Sequence, residues 1–270
     1  MTIKHQDIYP VEPIRSRCIG SSGIELLPAS PYSASYRPES HIIGFAFDTQ
    51  TGIHAFGTDR RQDFQRQAHS FAFIPAGCDV FSESEQGGEY LKLSIVPELL
   101  SAIDCNEAIT QVVTAKAVSI ARKLRLSLIA GIEVEPLLLE TLFDYLTPQL
   151  TPAKKNIRFP FTPKQLKRLD DFIDANIDQP LSVIKMAQTL DVSAGHFSRV
   201  FKASVGVSPF DYVIQRRLAY ARYRTHRLYQ SGSGLSEIAF ASGFSSHSHM
   251  TMVFKKHLGL TPSELLVNNL

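Results

Sequence analysis

Arginine, lysine and small polar side chains recur at matched places in two fragments of the chain, HFSRVFKASVGVSP from His196 and HMTMVFKKHLGLTP from His249. Six of the fourteen positions are identical and five more are conservative exchanges, at an offset of 53 residues. At helical spacing Phe197, Val200 and Phe201 share one face of the first fragment, as Met250, Val253 and Phe254 do in the second. The opposite face of the first carries Ala194, Gly195, Ser198, Arg199 and Lys202; that of the second carries Ser246, His247, Ser248, Thr251, Met252, Lys255 and Lys256. Small outward residues let a helix enter a major groove, where guanidinium and ammonium groups donate to base edges and phosphates. A plain helical bundle is the other reading of the same periodicity.

No phosphate-cradling glycine loop, His-Glu-x-x-His pair or Gly-x-Ser-x-Gly elbow is present, so no catalytic residue is assigned. His247 and His249 stand two apart on a helix and point about 200° away from each other, which rules out chelation of one ion. Cys18, Cys78 and Cys105 are widely spaced and are read as thiols rather than a metal or redox set. His41, His54 and His69 are read as ordinary histidines. Neither metal nor cofactor is expected.

Elements must hold the twin faces in place. LSVIKMAQTL, a turn and AGHFSRVFKAS have the shape of a helix-turn-helix, and LSEIAFASGFSSHSHMTMVFKKH repeats it, with a long helix from about Pro209 to Tyr229 between them. Upstream, Thr162 as N-cap and Pro163 at the first position open a helix with Leu166, Leu169, Phe172 and Ile173 on one side. The stretch TPQLTPAKKNIRFPFTP from Thr147 to Pro163 has four prolines and no periodicity, and the linker is placed at 151–161 between domains at 1–150 and 162–270. Residues 22–95 alternate β-rich runs such as IIGFAF, SFAFIP and YLKLSIV with turns, as in a small barrel or sandwich. Helical spacing then covers about 107–130 and 135–146, with enough apolar residues to serve both the barrel and a second copy of the chain, so a homodimer is expected.

Of the 270 residues, 44% are hydrophobic and 20% charged, a globular composition. Residues 1–160 hold 15 Lys and Arg against 18 Asp and Glu, whereas 161–270 hold 13 against 8, a bias that suits a polyanionic partner or a solvated basic surface. No long apolar run or secretory pattern is found, which gives a cytoplasmic location and no membrane contact as expectations.

Over about 162–267 the chain resembles the AraC/XylS family of bacterial transcription regulators. The resemblance lies in Leu181-Ser182, Met186-Ala187, Ser193, His196-Phe197-Ser198-Arg199, Phe201-Lys202, Gly206 with Ser208-Pro209, Arg217-Leu218, Ala221, Glu237-Ile238-Ala239, Gly243-Phe244, Ser246, Phe254-Lys255 and Gly259 with Thr261-Pro262. It implies seven helices in two helix-turn-helix units, with base-reading positions at Gly195, Ser198 and Arg199 and at His247, Ser248, Thr251 and Met252. Met252 departs from the arginine the family very often has there, so the second helix is expected to read loosely. The N-terminal half resembles the family's cupin-like effector domains through strand rhythm and the Ile74-Pro75-Ala76-Gly77 turn, with Val80 where metal-binding cupins place a histidine. The implied fold is α+β in two domains, a cupin-like β-barrel with packed helices and an all-α DNA-binding domain. The implied function is a non-enzymatic, sequence-specific regulator, an activator by family habit, whose partners are double-stranded DNA, a small-molecule effector and RNA polymerase. Its rivals are a cupin-type enzyme joined to a DNA-targeting module and an architectural DNA-binding protein.

Overall fold

The computed structural model describes residues 12–97, 107–112, 114–150, 161–229 and 234–267. The chain divides into two compact units, Met1–Ile157 and Arg158–Leu270.

Strands β1 (Arg15–Ile19), β2 (Ser22–Leu27), β3 (Tyr32–Tyr36), β4 (His41–Ala46), β5 (Gln50–Phe56), β6 (Gln62–Arg66), β7 (Phe71–Ile74), β8 (Val80–Ser84), β9 (Tyr90–Ile95) and β10 (Ile109–Val112) precede helices α1 (Ala115–Ala130) and α2 (Pro136–Leu150). They form two antiparallel sheets, ordered β1-β2-β9-β4-β7-β10 and β3-β8-β5-β6. From β2 to β9 the partners nest: β2 with β9, β3 with β8, β4 with β7 and β5 with β6. That is one long hairpin rolled over on itself, the winding of a double-sheet jelly roll. Period-2 alternation puts Ile24, Leu26, Ile43, Phe45, Phe71, Phe73, Leu91 and Leu93 in register on one face of the larger sheet, each at most 1% exposed. Helix α1 is pinned beside β9 by Arg125, whose guanidinium pairs with both carboxylate oxygens of Glu89, each side chain at most 5% exposed. Such a buried pair fixes geometry more than it adds stability.

Helical spacing is expected from about 107, yet residues 109–112 pair with the edge of β7, Ile109 opposite Phe73 and Val112 opposite Phe71. The β-branched run favours the extended chain, and Thr114 then caps α1, its hydroxyl accepting from the Ala117 N–H at 3.4 Å. Helix α2 continues past 146 to Leu150, with Pro148 in its last turn, where the missing N–H forfeits a single bond. At the Ile74–Gly77 turn, Gly77 takes φ +77° and the Ala76 N–H donates to His41 Nδ1 at 3.0 Å.

The second unit holds, among the described residues, α3 (Pro163–Ala175), α4 (Val183–Thr189), α5 (Ala194–Val205), α6 (Pro209–Tyr229), α7 (Leu235–Ala241), α8 (His247–Leu258) and α9 (Pro262–Val267). The expected start of α3 is in place as a capping box: the Gln165 N–H donates to Thr162 Oγ1 at 3.2 Å and the Thr162 N–H to Gln165 Oε1 at 2.9 Å. Residues 151–160 of the expected linker lie outside the described residues, while Phe161 is 2% exposed with its ring 6.0 Å from Phe197. One apolar cluster joins Leu218, Ile238, Phe244, Met250, Phe254 and Leu258 from α6, α7, the turn after it and α8.

The two helix-turn-helix units differ by one residue in their turns. Left-handed Asp191 (φ 58°) and Gly243 (φ 77°) stand 52 apart, but the caps that follow, Ser193 and Ser246, stand 53 apart. Gly243 is fixed by crowding as well as by φ: a Cβ there would lie 2.2 Å from the Ile177 carbonyl oxygen and 2.6 Å from Arg217 Nε. Arg217 itself donates to Ile177 O at 3.0 Å and to Gln179 O at 2.8 Å, tying α6 to the segment after α3. No helix among the described residues is long and apolar enough to cross a membrane.

Candidate nucleic-acid interface

Helices α5 and α8 are built alike. Ser193 Oγ accepts the His196 N–H at 3.3 Å and Ser246 Oγ accepts the His249 N–H at 3.0 Å, and left-handed Gly206 and Gly259 end the two helices. Phe197 and Phe201 in α5, and Met250 and Phe254 in α8, are at most 1% exposed. At 100° per residue the arc opposite these residues carries Gly195, His196, Arg199, Lys202 and Ala203 in α5, all exposed. The same arc in α8 carries Ser248, Met252, Lys255 and Lys256, also exposed, with Met252 at 62%.

Of the residues expected to face DNA, Gly195, Arg199, Lys202, Ser248, Met252, Lys255 and Lys256 therefore share one outward strip on each helix. Ser198 lies half-buried along its edge, whereas Ala194 and His247, at the first position of each helix, are half-buried on the side of Phe201 and Phe254. Ser246 is taken up as an N-cap, and the Thr251 hydroxyl is buried without a hydrogen-bond partner among the described residues. Thr251 sits only 60° around the helix from Phe254, so its oxygen turns inward although the residue borders the strip. His196 and Ala203 complete the first strip and were not among the expected residues; continuing the same helical angle one position further finds both. His249, by contrast, is held by the turn, its Nδ1 2.9 Å from Ser245 Oγ and its ring edge-on to Phe244.

Arg199 and Lys202 have no ion pair among the described residues, which leaves their donors directed to solvent. Lys255 lies 3.7 Å from Glu264, but both side chains are about half exposed, so solvent and salt weaken the pair. Behind α5 the support is polar as well as apolar: Tyr212 O–H donates to Asp170 Oδ1 at 2.6 Å, and Arg216 binds Asp174. Burial raises the Asp170 carboxyl from an ordinary 3.8 to about 6, against the pull of Arg216. Among the described residues no three His, Cys, Asp or Glu are grouped to hold a metal ion.

Residues 186–267 match the family model of a helix-turn-helix domain. A transcriptional regulator of known structure from Chromobacterium violaceum, of the AraC-type DNA-binding domain-containing proteins, is 30% identical over 38% of this chain and 90% of its own, with a TM-score of 0.36. This stretch is thus a helix-turn-helix domain similar in sequence to those of AraC-type regulators. The chain is also 29% identical over 136 residues to the HTH-type transcriptional regulator ArgR of Pseudomonas aeruginosa, a match that takes in 50% of this chain and 40% of that protein. The chain thus spans less than half the length of that relative. The probable thc operon regulatory protein of Rhodococcus erythropolis is 26% identical across 96% of this chain and 75% of its own length.

Local physics accounts for part of the AraC-family spelling. In Gly206-Val-Ser-Pro and Gly259-Leu-Thr-Pro the glycine closes one helix in the left-handed conformation, and proline opens the next at its first position. Between them Ser208 Oγ accepts the Asp211 N–H at 3.1 Å, and Thr261 Oγ1 accepts the Glu264 N–H at 3.2 Å. The residues on the outward strips have no such structural duty.

Proposed function

We propose that the chain is a cytoplasmic, sequence-specific DNA-binding transcription regulator whose helices α5 and α8 enter successive major grooves on one side of the duplex. The observation that carries this reading is the pair of identically capped helices with small and basic residues exposed at equivalent angles. Two such helices in one chain can span about one turn of DNA, ~34 Å, without a symmetric partner. Arg199 is the main base reader, able to donate two bonds to guanine, whereas Met252 offers apolar contact to a thymine methyl. Gly195, Ser198 and Lys202, with His247, Ser248, Lys255 and Lys256, supply close approach and phosphate contacts.

Residues 1–150 act as a cupin-like effector-sensing and dimerising domain, and the segment 151–161 as the linker to the DNA-binding domain at 162–270. The nested strand pairing supports the cupin-like fold of that domain, and the similarity to the Rhodococcus regulator, across 96% of this chain, supports a regulator that includes it. Effector binding shifts the balance between arrangements of the two domains and so changes the DNA sites occupied and the contact with RNA polymerase, with activation as the outcome.

Footprinting of the full chain on the DNA flanking its own gene tests the reading. Two protected major-groove segments about 10 base pairs apart, resistant to random competitor DNA at moderate salt, are expected. Protection that random DNA removes at equal mass would replace this function with an architectural one.

A further inference from the structure

The inward faces of the jelly roll hold a charge that the fold does not balance. Arg66, at the end of β6, is 8% exposed, and its guanidinium carbon lies 5.5 Å from the Phe64 ring centroid and 5.3 Å from that of Tyr90 on the opposite sheet. Two other basic side chains of this unit have carboxylates: Arg125 has Glu89, and Lys92 has Glu25 at 2.8 Å. Arg66 has no carboxylate among the described residues. A guanidinium removed from water without a counter-charge is unfavourable by several kcal/mol in general, so its retention asks for an occupant.

The surroundings describe that occupant. Registers β5–β6, β5–β8 and β3–β8 place Gln50 opposite Arg66, His54 opposite Ser82, and Tyr32 and Tyr36 opposite Ser84 and Val80, which brings Arg66, His54, Tyr32 and Tyr36 onto one face of the smaller sheet. His54 is stacked on Phe64 with ring centroids 5.0 Å apart, and its buried Nδ1 has no partner among the described residues. Burial keeps the Tyr90 phenol protonated, beside the Arg66 guanidinium to which it is hydrogen-bonded. Next to Tyr36 the same interior turns apolar, with Ile42, Ile74 and Val80 at most 5% exposed.

We propose that the interior between the two sheets, at Arg66, binds a small organic carboxylate with an apolar body. The planar guanidinium takes the carboxylate through two parallel N–H donors, the phenol of Tyr90 adds a third, and the apolar end of the interior receives the rest of the molecule. One unbalanced cation ringed by neutral donors suits a monoanion; a phosphate dianion would leave a net negative charge buried. The proposal rests on the reading of this unit as effector-sensing and gives that effector a chemical class.

Calorimetry and thermal melting of the full-length protein with benzoate, hexanoate, benzamide and inorganic phosphate test it. Benzoate or hexanoate should bind saturably and, at 100 times Kd, raise the N-terminal transition by roughly 5 °C or more. Benzamide and phosphate should not. Arg66→Met should melt no lower than wild type without ligand, since the unbalanced charge is gone, and should lose the carboxylate response. Arg66→Lys, which keeps charge but not the fork, should bind at least about tenfold more weakly.

The proposal falls if neither carboxylate binds, if benzamide or phosphate binds equally well, or if Arg66→Met responds as wild type does. It also falls if Arg66→Met melts well below wild type, which would make the arginine a packing element between the sheets. DNA binding by ligand-free Arg66→Met should match wild type. Loss of DNA binding by the wild-type chain would count against the proposed function and leave the carboxylate site standing.

Discussion

Helices α5 and α8 share length, N-cap, C-cap and buried face, and they differ where none of these is at stake. Outward, α5 presents Gly195, Arg199, Lys202 and Ala203 where α8 presents Ser248, Met252, Lys255 and Lys256. Lysine is kept on the strip at 202 and 255, but most repeated residues build the helix and seat it, and the unrepeated outward ones are free to recognise something. The supports differ too. Behind α5 stands a buried carboxyl in a hydrogen bond, whereas α8 rests on an apolar cluster.

The equivalence of the buried faces predicts the largest effect. Phe201→Ala and Phe254→Ala, which stand 53 apart, should each lower stability by about 3–5 kcal/mol in urea unfolding of the full chain, and by similar amounts. A twofold difference between them would mean that the heads are seated unequally. A pH titration comes next. Because the folded Asp170 carboxyl titrates near 6 and the unfolded one near 3.8, the folded state binds the extra proton between those values. Stability contributed through this group is complete below about pH 4 and falls by up to about 3 kcal/mol as the pH rises through 6. Asp170→Asn, which keeps an acceptor for Tyr212, should flatten that slope in melts across pH 4–7.

Recognition should be asymmetric. Arg199→Ala is expected to weaken specific DNA binding by about 1–3 kcal/mol with little change in melting, and Met252→Ala by roughly 0.5 kcal/mol or less. Met252→Arg should tighten binding to sites with guanine beneath α8. Mobility-shift titrations over every single-base change would reverse the assignment if losses under α8 equalled those under α5. The smallest effect concerns the caps. Ser193→Ala and Ser246→Ala should each cost about 1 kcal/mol of stability, again alike, by thermal melting.

Helices α3 to α8 are legible because their signals are local: a cap, a proline at the first position, apolar residues at helical spacing or a terminal glycine; α9 is implied only by the family resemblance. Strands β4, β5, β7 and β9 are legible in the same way from alternation or apolar runs. Strands β1 and β3 are not, since RSRCI is almost wholly exposed and YSASY is no more than half-buried, so neither shows an inside and an outside. β1 is an edge strand that pairs only with its neighbour β2, and β3 pairs with β8, far along the chain, which no window of sequence displays. The strand at Ile109–Val112 failed for a related reason, because four residues fit either a helix or an edge strand until β7 is in place. The fixed 53-residue offset likewise concealed the extra residue in the second turn. Arg66 gave no signal at all: a single arginine in QDFQR becomes notable only once β5 and β9 close around it.

Gly243 bears on the DNA rather than on the protein. Its turn belongs to the second head, yet the Ile177 carbonyl and Arg217 that press against it belong to the first head and the helix between. The heads therefore touch at a second point besides α6, which opposes a change in their spacing. DNA offers no matching freedom, because one inserted base pair turns the second groove away by about 35°. On the proposed reading, the distance between the two base clusters in a target site is dictated by the absence of a side chain at residue 243.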